Sequence, residues 1–274
     1  MKQTKLPGVE PMKKGLSQES LKLLAGITMV IDHVGYALVY PIYQQVRIIN
    51  GNTIAAARIL NTAYLFLRGI GRLSFPIFAF LLVEGFLHTR SRKKYALRLA
   101  IAAVLSEIPY NLVVSGSPVW RYQQSIMITL LLGFCALLAM EHCRKLAWKP
   151  VVMIPFAILA ELLCADYGWG GVALIALFEL SRHMYNRNLI RFCGMLVLFH
   201  YMPSAMLRFG NFSLPMQALG ALSMLFIAAY DGRKVTGSRA IQWSFYLFYP
   251  LHLLALYFIG MLSGTFQIGI SYLT

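Results

Sequence analysis

Asp32 and His33 stand side by side late in an otherwise apolar run, Leu21 to Tyr40, reading LKLLAGITMVIDHVGYALVY. A carboxylate next to an imidazole is the equipment of general-base catalysis. The acid orients or charge-stabilises the ring, and the ring takes a proton from an amine or hydroxyl acceptor. An imidazole can also carry a covalent acyl intermediate, and the plain structural alternative is a hydrogen bond that glues two helices. The setting favours chemistry. The run is about as long as a helix needs to cross a bilayer's hydrocarbon, and an ionised carboxylate at that depth costs about 2.5–3.5 kcal/mol unless paired or hydrated. Asp32 paired with His33 would offset each group's desolvation, although consecutive helix residues point about 100° apart and can reach different partners.

Four other stretches carry chemistry-bearing residues. In RLSFPIFAFLLVEGFLHTRSRKKYALR, Arg72 to Arg98, Pro76 is expected to free a carbonyl and kink an apolar helix. Glu84 and His88 approach the end of that helix, and Arg90, Arg92, Lys93, Lys94 and Arg98 make a dense cationic mouth. Such a mouth suits a polyphosphate, but on physics alone the rule that cytoplasmic loops are basic accounts for it, because three other loops are basic as well. Tyr249-Pro250-Leu251-His252 places a ring nitrogen beside a proline, for a proton relay, an acceptor contact or a core histidine. Glu107, in SEIPYN, and Asp166, in ADYGWGG, are candidates for an acceptor pocket or a relay near the outer face, where Trp and Tyr also mark the aromatic belt.

The elements holding these residues follow from composition. Of 274 residues, 58% are hydrophobic and only 13% charged, with mean hydropathy +0.63. A soluble domain would carry roughly twice that charge. The net charge of +15 is spread between apolar runs with no basic tail, so it speaks for loops on an anionic membrane surface and against nucleic acid. The expected fold is all-α, a polytopic bundle of about nine spans (range 8–10). These lie near 21–40, 73–89, 95–114, 125–141, 149–165, 169–181, 189–203, 213–230 and 241–262, in one domain over 21–265. Residues 1–20 form a polar cytoplasmic arm with no apolar core of its own, so the first span is expected to act as an uncleaved insertion signal. Residues 53–68 alternate at helical spacing and predict an interfacial amphipathic helix. With the N-terminus inside, 19 of the 25 Lys and Arg fall on cytoplasmic segments, which supports this topology. Cys135, Cys143, Cys164 and Cys193 lie singly, with neither disulfide nor metal spacing.

The stretches LKLLAGITMVIDHVG, RLSFPIFAFLLVEGFLHTR with KKYALRL, SEIPYN, ADYGWGGV and FYPLHLL together resemble the TraX family, in family order across most of residues 21–258. That family includes the membrane protein that acetylates the N-terminus of conjugative pilin, and it is distantly similar to the acyltransferase-3 integral membrane acyltransferases. The resemblance implies a multi-pass acetyltransferase of the bacterial inner membrane with acetyl-CoA as co-substrate. It implies His33 as catalytic base with Asp32 beside it, and assigns the CoA thioester to Arg72, Glu84, His88, Arg90, Arg92, Lys93, Lys94 and Arg98. Glu107, Asp166, Tyr249 and His252 are left for the acceptor or a proton relay. The acceptor, a pilin-like peptide or an envelope glycan, would arrive at the outer face. A proton-coupled transporter and a structural subunit of an envelope machine remain the competing classes.

Overall fold

The computed structural model describes residues 15–49, 54–233 and 239–265, so most of the expected N-terminal arm lies outside the described residues. Helix α1, Gln18–Val34, starts at Ser17, whose Oγ accepts from the Ser20 backbone N–H at 3.2 Å. Its buried positions Leu21, Ala25, Thr28, Met29 and Asp32 recur at three- and four-residue spacing, one face of a helix. The chain continues without a break through a π-helical turn, Gly35–Val39, into α2, Tyr40–Ile49. Gln18–Arg47 is therefore one apolar rod of 30 residues, about 45 Å long at 1.5 Å per residue.

Helix α3, Ile54–Gly71, runs back along that rod. Gly35 faces Leu67, and Gly71 faces Asp32 so closely that a Cβ there would overlap the carboxyl. The chain then turns at Arg72–Leu73 and resumes as α4, Ser74–His88. Pro76 accounts for the turn: it has no N–H to return to the carbonyl of Arg72 four residues back. The helix expected at 53–68 is thus present, with one packed and one exposed face, and it runs on toward α4: Ala55–His88 is one apolar 34-residue segment whose first part, α3, lies antiparallel to α1. Periodicity alone could not separate an interfacial helix from part of this longer segment, because one face of α3 packs on α1 and α2 while the other stays exposed.

Helix α4 is buried nearly all round and sits at the centre, against α1, α6 (Ile126–His142) and α8 (Gly168–Leu180). A helix apolar on every face needs neighbours on every face, and Phe80, Phe86, Phe134, Phe178 and Phe199 fill the space between them. Helix α5, Arg92–Ser115, is capped by Ser91 and stopped by Gly116 in the left-handed region at φ 70°. Helix α7, Lys149–Leu162, packs on α6 and α8, and α9, Arg187–Tyr201, packs on α8. Helix α11, Arg239–Leu262, leans on α5.

The expected helical span at 213–230 is corrected. Its start belongs to an antiparallel hairpin, β1 (Met206–Phe209) with β2 (Phe212–Pro215). A 3-10 helix, Met216–Ser223, and a short α10, Met224–Ala228, then follow. The 3-10 rise of about 2 Å stretches these few residues to about 24 Å.

Among the described residues, four helical runs are long and apolar enough to cross a membrane: Gln18–Arg47, Ala55–His88, Arg92–Ser115 and Trp243–Leu262. Ile126–His142, Gly168–Leu180 and Met216–Ala228 are apolar but shorter. Nine full-length spans are therefore not what the described residues show, since helices of 13 to 17 residues reach only about 20–26 Å against a hydrocarbon core of about 30 Å. The outer surface is that of a membrane protein. Val104, Ile108, Ile154, Val197, Leu225 and Phe258 all point outward and exposed.

Candidate active site

Asp32 is 7% exposed, and its partners come from α3 and the turn after it, not from its neighbour. Arg72 Nη2 donates to Asp32 Oδ1 at 2.7 Å, and Arg68 Nη1 donates to Oδ2. Arg72 Nη1 reaches Gln217 Oε1 at 2.8 Å, and its Nε donates to the Arg68 carbonyl at 3.2 Å. Arg68 lies over the Tyr36 ring at 5.4 Å, and Arg72 over Tyr167 at 5.9 Å. Two cations on one carboxylate leave an excess positive charge, and Asp166 faces the same pair of arginines. The four side chains form a neutral quartet in which every buried charge has an opposite within reach.

Asp166 sits in the loop between α7 and α8, outside the helices. Burial pushes its carboxyl above the usual carboxylate range, against the pull of Arg72 and Arg68. The Tyr167 backbone N–H donates to its Oδ1 at 3.0 Å, and Thr129 Oγ1 donates to its backbone carbonyl. Tyr167 itself is left-handed at φ 63°. For a residue with a Cβ this costs on the order of 1–3 kcal/mol and persists only where the surroundings impose it. Its ring is held against Phe75 at 4.0 Å between centroids.

His33 turns away from Asp32. Its Nδ1 lies 2.8 Å from His252 Nε2, and His252 Nδ1 lies 2.8 Å from the Phe248 carbonyl oxygen. Tyr249 presents its ring at a steep angle to His33, 6.1 Å between centroids. Asp32 therefore reaches His33 through its charge and not through a hydrogen bond: the arginines hold the acid, and a residue 219 positions away holds the ring.

The ring of His33 and the charged groups border one cavity of about 560 Å³ between α1, α3, α4, α5, the start of α6 and α11, while His252 and Gln217 hold its lining residues without lining it themselves. Its walls run from Lys22, Ser244 and Phe245 to Gln123, Asp166 and Tyr167. Along α1, Lys22 to Tyr36 is about 21 Å. His33, Asp32, Arg72, Asp166 and Tyr249 line it.

The other residues singled out by sequence do not. Glu84 lies near Arg191, and His88 is exposed with its Nδ1 on the Glu84 carbonyl. Arg92 pairs with Glu141 at 2.8 Å and covers Phe86. Arg98 lies over Tyr95 and Tyr246, while Arg90, Lys93 and Lys94 are exposed on the surface. None of these seven lines the cavity. Glu107 serves α6: its Oε1 accepts from Ser125 N at 3.1 Å and Ser125 Oγ at 2.5 Å, at the position that caps the helix. The cation at the end of the cavity near the start of α1 is Lys22, over the Phe245 ring at 4.9 Å. Sequence reasoning passed over Lys22, Arg68 and Gln217 as functional residues. For Arg68 a signal existed, because arginines four apart share a helix face and, in a membrane, ask for a carboxylate.

The probable fimbrial assembly protein FimC, serogroup H1, of Dichelobacter nodosus is 30% identical over 206 residues, covering 68% of this chain and 80% of that protein. No solved structure matches. The family model described as TraX protein matches residues 17–260, nearly the whole described bundle and every cavity-lining residue named above. The chain belongs to the TraX family.

Proposed function

We propose that the protein is an acetyltransferase of the bacterial inner membrane that moves acetyl from cytoplasmic acetyl-CoA to an amine or hydroxyl at the outer face. One observation carries the reading: a single cavity joins the level of Lys22 to the level of Asp166, with the His33 ring on its wall between them. The inner part is a slot of Leu23, Gly26, Ile27, Val30, Phe245 and Phe248, long enough for a pantetheine arm and closed by a lysine suited to a phosphate. The outer part holds the charged quartet. A thioester carbon brought to His33 from within would meet a nucleophile arriving from outside, so acetyl crosses while CoA does not.

In this mechanism His33 removes the acceptor's proton as its nitrogen or oxygen attacks the carbonyl carbon. The C–S bond then breaks, and the same proton returns to the leaving thiolate. Asp32 keeps Arg68 and Arg72 in place, and Arg68, with one nitrogen on Asp32 and its side chain on the cavity wall, faces the developing oxyanion. Asp166 suits an acceptor ammonium, which gives one proton to water to become the neutral amine before the attack, so that His33 handles only the second. The family and the relative named as a fimbrial assembly protein support a pilin-like peptide N-terminus as acceptor. The inside bias of Lys and Arg supports nine passes, four of them full length, with the N-terminus in the cytoplasm.

The test is transfer of labelled acetyl from acetyl-CoA to peptide amines and oligosaccharides by protein in lipid nanodiscs. Transfer by the wild type and its loss in His33→Gln is the expected result. Unchanged transfer in the variant removes His33, and absence of acetyl-CoA binding rejects the reading. A cavity reaching toward both faces also fits a proton-coupled transporter, which would show solute flux with no dependence on acetyl-CoA.

A further inference from the structure

The hydrogen bonds around His33 have a direction, and that direction assigns a role to His252. The Phe248 carbonyl can only accept, so His252 Nδ1, 2.8 Å away, carries a hydrogen. In a neutral imidazole the other nitrogen is then a bare acceptor. His252 Nε2 faces His33 Nδ1 at 2.8 Å, so His33 Nδ1 must donate. By the same rule His33 Nε2 is left with a lone pair, on a ring that lines the cavity. A backbone carbonyl on α11 thus dictates, through two rings, which nitrogen of a residue on α1 is basic.

We infer that His252 is the positioning residue of a two-imidazole relay that sets the tautomer of His33 and receives its displaced proton. The inference rests on the reading of His33 as the acceptor's base. When His33 Nε2 takes the acceptor proton, the Nδ1 proton passes to His252 Nε2. The positive charge then rests on His252, whose Nδ1–H still points at the Phe248 carbonyl. His33 is neutral again, now with a hydrogen on Nε2. In this state it is the acid that the leaving thiolate needs, and returning the proton sends the other back from His252 to His33. One proton enters from the acceptor and one leaves with the thiol, so the relay ends as it began. Its two states are the base for attack and the acid for departure.

The surroundings suit this assignment. His252 packs face to face on Phe248 at 5.1 Å between centroids, and Tyr249 stands edge-on to both histidines. The charged groups facing His33 are Asp32, Arg68 and Arg72, and the arginines already hold Asp32. No carboxylate hydrogen-bonds either imidazole among the described residues, so the relay is a pair of rings ending on a carbonyl.

The experiment is nitrogen NMR of histidine-labelled protein in nanodiscs, with His33 identified by its loss in His33→Gln. The expected spectrum shows His33 protonated at Nδ1 and bare at Nε2. His252→Phe should release that preference into a mixture of tautomers. His252→Gln, whose amide oxygen still accepts from Nδ1 but cannot take a proton, should keep the tautomer. On labelled acetyl transfer, both variants should lower kcat by about a hundredfold, the lower end for general acid–base assistance. Both should leave the KM for acetyl-CoA unchanged, and His252→Gln should also shift the pH profile of kcat. A bare Nδ1 on wild-type His33, or an unaltered His33 spectrum in His252→Phe, overturns the inference. The spectra read the relay without any turnover, so a failed acetyltransferase assay and a failed relay are told apart.

Discussion

The two halves of the cavity are built by different rules. In the half near Lys22, inner in the proposed topology, the walls are Leu23, Gly26, Ile27, Val30, Phe245 and Phe248, and the fit there is set by shape. In the half near Asp166, outer in that topology, they are Asp32, Arg68, Arg72, Asp166 and Tyr167, locked by ion pairs, a strained backbone and Gln217. An apolar slot tolerates a sliding chain, whereas a preorganised polar site fixes a reacting group. His33 sits where one gives way to the other. Damage to the outer half should therefore appear as lost stability and lost kcat, and damage to the inner half as weaker donor binding.

The largest expected effect is on Asp32. Asp32→Ala leaves Arg68 and Arg72 buried side by side with no carboxylate between them, and breaking such a buried pair costs about 3–5 kcal/mol. Thermal unfolding in nanodiscs should show a large fall in midpoint. If Asp32 only tuned His33, stability would hold and only kcat would drop. Replacing all four groups, with Asp32→Leu, Arg68→Met, Arg72→Met and Asp166→Asn, should recover much of the stability and none of the transfer. Gly71→Ala is the milder version. Its methyl would overlap the Asp32 carboxyl, and overpacking of this kind costs about 1–3 kcal/mol.

On the apolar side the matching substitution is Gly26→Leu. A Cβ at Gly26 would sit 3.3 Å from the Phe248 ring, so the longer side chain must fill the slot. The KM for acetyl-CoA should rise about tenfold, equivalent to 1.4 kcal/mol, with the unfolding midpoint nearly unchanged. A fall in kcat with KM constant would show that the halves do not divide the labour as described.

Much of this division was legible in the sequence. The apolar runs bounded by charge gave most of the helices, and Asp32, His33, Arg72, Asp166, Tyr249 and His252 were visible as polar residues at depth. What meets what was not legible. Asp32 meets Arg72 because α1 and α3 run antiparallel in a register that Gly35 and Gly71 permit, and His33 meets His252 across 219 residues. In helices such as α6 and α8, apolar on all sides, sequence periodicity does not separate the lipid face from the packed face, so neighbours cannot be inferred. The 3-10 stretch at 216–223 and the hairpin before it were hidden for a related reason. An apolar run reads the same whichever backbone it adopts.

Asp166 supplies a pH test of the outer half. Its carboxyl titrates above the usual range because burial disfavours the charge. A raised folded value means that the folded state holds the proton more tightly, so this group's contribution to stability is full below the unfolded pKa and declines as pH rises through the folded one. Acceptor binding should run the other way. A carboxylate that attracts an ammonium is lost as pH falls through the raised value, so the KM for a peptide amine should climb in that range while the KM for acetyl-CoA stays flat. Asp166→Asn should abolish the difference.

The smallest effect separates two sets of cations. Arg98 and Lys22 flank consecutive residues of α11, over Tyr246 and Phe245, but only Lys22 lines the cavity. If the phosphates of acetyl-CoA are held at the end of the slot, Lys22→Gln should raise its KM about two- to fivefold, the 0.5–1 kcal/mol of a solvent-accessible ion pair. The effect should shrink as ionic strength rises from 0.05 to 0.5 M, because screening weakens exposed charges most. Replacing Arg90, Lys93 and Lys94 together by Gln should move KM less than Lys22→Gln alone, since those three do not face the slot. The reverse order would return the phosphates to the basic segment after α4 and leave Lys22 a structural role over Phe245.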